Sequence, residues 1–154
     1  IAAQITRTDR LILLNLLAKR MSVNVYSWER CNLLQNVRFM GSCDYYGQMT
    51  KVFKASSINL NITLKISQSG IPLRVMDILG AGGFLLSNYQ PEIAENFVDG
   101  EDVVMYESIE DALEKAVYYL GHDDLRRQIA QSGHNKAKEL FSYEKQLGKI
   151  FKIS

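Results

Sequence analysis

A chain of 154 residues that is 47% hydrophobic and 23% charged is long enough for one domain with its own core. A net charge of +1 excludes the electrostatic footprint of a nucleic-acid or anionic-membrane binder, and apolar runs such as Leu11 to Leu14 are too short to span a bilayer. Two cysteines, Cys31 and Cys43, are too few for a disulfide framework and match no zinc spacing; with no signal-peptide pattern, they suit a reducing cytoplasm.

Residues 8 to 20 are predicted as a helix, with Leu11, Leu14, Leu17 and Ala18 on one face. Val23 to Trp28 alternates like a strand, and 29 to 35 is ambiguous. Val37 to Met40 is a short strand closed by Gly41. Gln48 to Ala55 is a helix turning Met49, Val52 and Phe53 inward. Ile58 to Thr63 is a strand, Pro72 opens a helix to Leu79, and Phe84 to Ser87 is a buried strand. Pro91 starts a short helix towards Phe97, as proline suits a first helical turn. After the Asp99-Gly100 turn comes a strand from Asp102 to Tyr106. Ser108 and Asp111 resemble a capping box ahead of a stripe of Ile109, Leu113, Ala116, Val117 and Leu120. Gly121 ends that helix, and helices at 123–131, 135–140 and 142–151 complete the chain.

Strands alternating with helices predict an α/β domain, a Rossmann-like parallel sheet flanked by helices, with no internal linker over residues 1–154. In such sheets ligands bind outside the carboxyl ends of the strands. Three segments converge there: Asn61 to Gly70, the helix carrying Arg74 and Asp77, and Ser87 to Gln90. A helix start favours an anion, Arg74 offers a forked pair of donors to phosphate, and Asp77 can accept from two ribose hydroxyls. The i, i+3 spacing equally allows Arg74 and Asp77 to pair with each other.

Gly82 and Gly83 allow close backbone approach or serve a helix end, a role that suits Gly80 better than the pair. Asn59 and Asn61 interrupt an apolar strand; Asn61 either faces a ligand cleft or satisfies nearby loop backbone. Tyr45 and Tyr46 offer an aromatic face to a base, or simply pack. His122 and His134 are expected on the surface near helix ends, and Asp123-Asp124 at a helix start. No cluster has metal-ligand spacing, and no nucleophile triad, P-loop or G-x-G-x-x-G fingerprint is present.

From about Met49 to Phe141 the chain resembles the C-terminal, donor-binding domain of GT-B-fold glycosyltransferases, most closely the bacterial spore-maturation-protein (CgeB-like) group. The stretches that carry the likeness are 51–56, Ile58 to Thr63, Ser69 to Asn88, Pro91-Glu92-Ile93, Asp99-Gly100 and Phe141-Ser142-Tyr143, in that order and spacing. The resemblance implies that the helix after Pro72 points its N-terminus at the diphosphate of a nucleotide sugar. Asp77 then takes the place of a ribose-binding glutamate, and Arg74 lies near the phosphates or the donor sugar. Together with the reading of the residues, the candidate donor site is Asn61, Ser69, Gly70, Pro72, Arg74, Asp77, Gly82, Gly83 and Asn88; Tyr45 and Tyr46, ahead of the stretch that carries the likeness, are the base-contact candidates from the residues alone.

Many retaining members carry two glutamates enclosing seven residues; here those positions are Ser69 and Asp77, and Tyr89-Gln90 replaces a glycine pair. The family also implies an acceptor-binding N-terminal domain that is not in this chain. The start at Ile1 and the lack of an opening strand in 1–8 fit a fragment. The expectation is a cytoplasmic glycosyltransferase domain that needs no metal. The competing readings are half of a nucleotide-sugar epimerase or hydrolase, and a non-catalytic interaction module.

Overall fold

In the computed structural model, which describes residues 2–63, 70–141 and 148, short parallel strands alternate with helices. The order is α1 (Ala2–Ala18), β1 (Asn24–Tyr26), β2 (Arg38–Gly41), α2 (Gln48–Ala55), β3 (Asn59–Asn61), α3 (Leu73–Gly80), β4 (Leu85–Asn88), α4 (Pro91–Ala94), β5 (Val104–Tyr106), α5 (Ile109–Leu120) and α6 (Asp123–Phe141). The pairing is parallel throughout, in a two-stranded sheet β1-β2 and a three-stranded sheet β3-β4-β5. This is the expected Rossmann-like α/β arrangement, with the sheet in two pieces among the described residues.

Sheet β3-β4-β5 is buried on both faces, so its strands need no polar alternation. Side chains still alternate between faces. Phe84, Leu86, Val104 and Tyr106 meet Leu13 and Leu17 of α1, Ala112, Leu113 and Ala116 of α5, and Ile129 and Ala130 of α6. Leu85, Val103 and Met105 meet Phe53 of α2, Val75, Ile78 and Leu79 of α3, Ile93 and Phe97, and Ala137 of α6. Helix α6 therefore contributes to both cores.

Several helix faces differ from the sequence expectation. On α1 the inward residues are Leu13 and Leu17 with Leu16 beside them, while Leu11 and Leu14 are only half-buried. On α5, Ala112, Leu113 and Ala116 are buried and Val117 is exposed, because the helix rolls its small residues onto the sheet. The cap of α5 is as expected: the Asp111 N–H donates to Ser108 Oγ at 3.0 Å. The Asp111 carboxylate accepts from Glu107 N–H, one residue before the N-cap, and from Lys115.

The two helices expected over 123–131 and 135–140 are one. Gly133 does not break α6, because it sits where α6 crosses the start of β5. A Cβ there would lie 2.3 Å from the Asp102 carbonyl oxygen and 3.0 Å from Leu79. The same crossing buries Asp102, whose carboxylate accepts from Ser132 Oγ at 2.6 Å, Lys136 Nζ at 2.8 Å and Val98 N–H at 2.8 Å. The helix expected at 142–151 lies outside the described residues, apart from 148.

Gly133→Ala is expected to destabilise the chain by about 2 kcal/mol, the scale of overpacking against rigid backbone. An unchanged urea midpoint would rule that clash out. Burial pushes the Asp102 carboxyl upward, but its bonds from Lys136, Ser132 and Val98 together outweigh that and hold it below 3.8. A depressed folded-state value means the unfolded chain binds more protons below about that pH. The stabilisation is full above 3.8 and is lost as pH falls through the folded value. Asp102→Asn should lower stability at neutral pH and flatten the acid limb of a stability–pH series; a limb of unchanged slope would remove Asp102 from it.

Candidate functional site

Helix α3 is the element that presents charge at the carboxyl edge. Val75, Ile78 and Leu79 turn into the core. That leaves Arg74 and Leu73 exposed and Asp77 half-buried. Gly70, at φ +117°, leads into it in a conformation that favours glycine. Pro72 occupies the N-cap position and supplies no side-chain cap.

At the other end, Gly82 has φ +79°; its N–H reaches Leu79 O and the Gly83 N–H reaches Ile78 O. These are the two bonds of a Schellman termination. The capping role thus falls to Gly82 and not to Gly80. Gly83 has its own reason: a Cβ there would lie 2.6 Å from Asn59 Nδ2 and 2.7 Å from Phe53 O. Gly82 thus answers to its backbone conformation and Gly83 to packing against β3 and the end of α2.

Among the described residues, Arg74 and Asp77 do not form the mutual ion pair that their spacing allows. The Arg74 guanidinium lies over the Phe53 ring, 5.8 Å from its centroid. Asp77 instead accepts the Tyr45 hydroxyl, 3.0 Å from each carboxylate oxygen. The two charges line adjoining grooves. One, of about 280 Å³, is formed by Arg74, Tyr26, Ser27, Trp28, Ser42 and Cys43. The other, of about 330 Å³, is formed by Asp77, Tyr45, Tyr46, Thr50, Met76 and the end of α3. Met49 and Phe53 of α2 belong to both walls.

Three asparagines stitch β3 to β4. Asn59, buried, donates to Phe53 O at 2.8 Å and Phe84 O at 3.2 Å. Asn61, also buried, donates to Thr63 Oγ1 at 2.8 Å and Ser87 Oγ at 3.0 Å. Asn88 accepts from Thr63 N–H at 2.9 Å and donates to Thr63 O at 3.0 Å, continuing the ladder with a side-chain amide. Asn61 is thus engaged with neighbouring hydroxyls instead of the loop backbone. Arg10 of α1 closes the end of β3 by donating to Ile62 O at 2.9 Å.

Ser69 lies outside the described residues. Tyr46 is 91% exposed and Tyr45 45%, so neither is core packing. His122 is exposed and stacks on Tyr118, as expected of a surface residue. His134 corrects that expectation: it stands mid-helix in α6, half-buried, and its Nδ1–H donates to Leu79 O at the end of α3. Neither histidine lines a groove. Among the described residues no three His, Cys, Asp or Glu side chains gather as a metal site, and no helix is long and apolar enough to cross a membrane.

Sequence reasoning missed the Tyr45–Asp77 contact, which spans 32 residues and has no local signal. It also missed Trp28, 90% exposed. The sequence pattern counts Trp28 as the last residue of a strand, whereas β1 stops at Tyr26 and leaves the indole beyond it.

Asn88→Ala is expected to cost about 1–2 kcal/mol through the loss of two bonds to Thr63. The Thr63 amide should then exchange with solvent about tenfold faster. Unchanged exchange would show that the ladder holds without it.

Among the solved structures that share this fold at low identity are the following three. A sucrose-phosphate synthase from Thermosynechococcus elongatus superposes with a TM-score of 0.73 at 13% identity, covering 94% of this chain and 42% of that one. HepE from Anabaena, solved in complex with UDP, gives 0.63 at 11% identity, covering 77% and 33%. The C-terminal domain of a glycosyl transferase group 1 family protein (LpcC) from Francisella tularensis gives 0.56 at 17% identity, covering 71% and 55%. The chain thus spans under half the length of the first two. Comparison with curated protein sequences yields no match. The glycosyl transferase-like family model matches residues 7–152, wider than the stretch that carried the resemblance in the sequence. With a parallel α/β architecture matching GT-B glycosyltransferase neighbours and a family match over almost its whole length, this chain belongs to the glycosyl transferase-like family.

Proposed function

We propose that this chain is the donor-binding domain of a bacterial, cytoplasmic glycosyltransferase of the CgeB-like group. It holds the nucleoside diphosphate of a nucleotide sugar and works with an acceptor-binding domain outside this chain. The observation that carries the reading is the placement of α3, which starts after β3 and turns Arg74 and Asp77 towards two adjoining grooves. The family match supports it.

In this reading Asp77 accepts the ribose hydroxyls, and Arg74 with the N-terminal end of α3 faces the diphosphate. As the bond to the sugar breaks, negative charge develops on the leaving diphosphate. A fixed guanidinium and helix dipole stabilise that charge more in the transition state than in the ground state. The chemistry calls for no metal in this half. The same reading assigns Gly70, Pro72, Asn61 and Asn88 to the donor site, Gly82 and Gly83 to the turn after α3, and Ser69 by its place in the sequence alone. In the same reading Tyr46, and Tyr45 once it has left Asp77, meet the base. Neither histidine is in reach as the acid or base an epimerase would need in this half.

The test is ligand-observed NMR with UDP, GDP, CDP, ADP and TDP, UDP first because HepE was solved with it. One diphosphate is expected to bind, with Arg74→Ala weakening the diphosphate about tenfold or more and the nucleoside little. Asp77→Asn should weaken ribonucleotides more than deoxyribonucleotides. Equal losses for diphosphate and nucleoside would overturn the phosphate role of Arg74. A folded chain silent to all five would instead favour an interaction module.

A further inference from the structure

Tyr45 belongs to the turn that joins β2 to α2. Asp44 builds that turn: its carboxylate accepts from Gly47 N–H at 2.9 Å, and its carbonyl from Gln48 and Met49 N–H. The backbone under Tyr45 is therefore held by local bonds that owe nothing to its ring. The ring itself is half in solvent and touches Tyr46 edge-on, centroids 5.2 Å apart. A rotation about its own side-chain bonds would release it without disturbing α2.

Its hydroxyl is 3.0 Å from both oxygens of Asp77. A phenol carries one proton, so a single donor is shared between two acceptors. Two vicinal hydroxyls would bring one donor for each oxygen. We propose that Tyr45 is an internal stand-in for the ribose diol: it occupies Asp77 in the empty domain and yields that carboxylate when the nucleotide arrives. This rests on Asp77 being the ribose carboxylate, and adds a competitor built into the same site.

Three consequences follow from the geometry. Asp77 is kept in one orientation before ligand enters. Exchange of Tyr45 for a diol gains a second charge-assisted bond, whereas exchange for a lone hydroxyl gains none. Measured affinity is lowered by the fraction of domains in which Tyr45 holds the carboxylate. The hydrogen bond to Asp77, with some burial, keeps the Tyr45 phenol above 10.0, so it remains a donor at neutral pH.

The experiment is calorimetric titration of UDP into the wild-type chain, Tyr45→Phe, Asp77→Asn and the double variant. Tyr45→Phe keeps the ring and is expected to bind UDP about three- to tenfold more tightly. In the Asp77→Asn background the same change should make no difference. Weaker or unchanged binding by Tyr45→Phe overturns the proposal and makes Tyr45 a ligand contact or a bystander. NMR of the Tyr45 ring supplies the second readout. Saturating UDP should move its signals away from their ligand-free positions, and unmoved signals overturn the exchange. If Asp77→Asn binds UDP as tightly as wild type, the ribose reading fails and the stand-in with it. The ligand-free ring shift then still reports the contact, so the two failures are told apart. Absence of binding by all five diphosphates, to wild type and to Tyr45→Phe alike, overturns both.

Discussion

The carboxyl edge of this domain depends on the seam between β3 and β4. Backbone pairing there runs for only three residues a side. Side chains extend it at both ends: Asn59 bonds the carbonyls of Phe53 and Phe84 at the start, while Asn61 and Asn88 close it at Ser87 and Thr63. A one-residue slip would send every one of these amides to the wrong face and exchange the two cores. The seam also fixes where α2 ends, through Phe53 O, and how closely the turn after α3 approaches, through Gly83. Groove position is thus inherited from strand register.

Much of this was legible in the sequence because it is local. Helix α2 was read to its observed ends, since Met49, Val52 and Phe53 repeat at helical spacing between a glycine turn and Ser56. The α5 cap needs only Ser108 and Asp111. What failed was decided by distant contacts. Gly133 looks like a helix breaker until Asp102 O is found against it, and the face of α1 is set by what the sheet leaves open. At the site, the sequence pointed to Arg74 and Asp77 but could not say that each turns to a different partner, Phe53 and Tyr45. A spacing of three residues tells which side chains could meet, not which competitors arrive from another turn.

The two adjoining grooves share one wall, made by Met49 and Phe53. Phe53 is buried beneath and also lies under the Arg74 guanidinium. A planar cation resting on an aromatic face loses less freedom on meeting an anion than one waving in water. Core packing on α2 therefore preorganises the charge that α3 displays.

Helix α6 closes the chain's described order, yet Ile129 and Ala130 sit in one core and Ala137 in the other. Neither face of the sheet is complete until both parts of that helix are in place. During synthesis the strands would leave the ribosome well before the element that covers them. The nascent domain must therefore keep two apolar sheet faces from finding other chains until α6 emerges.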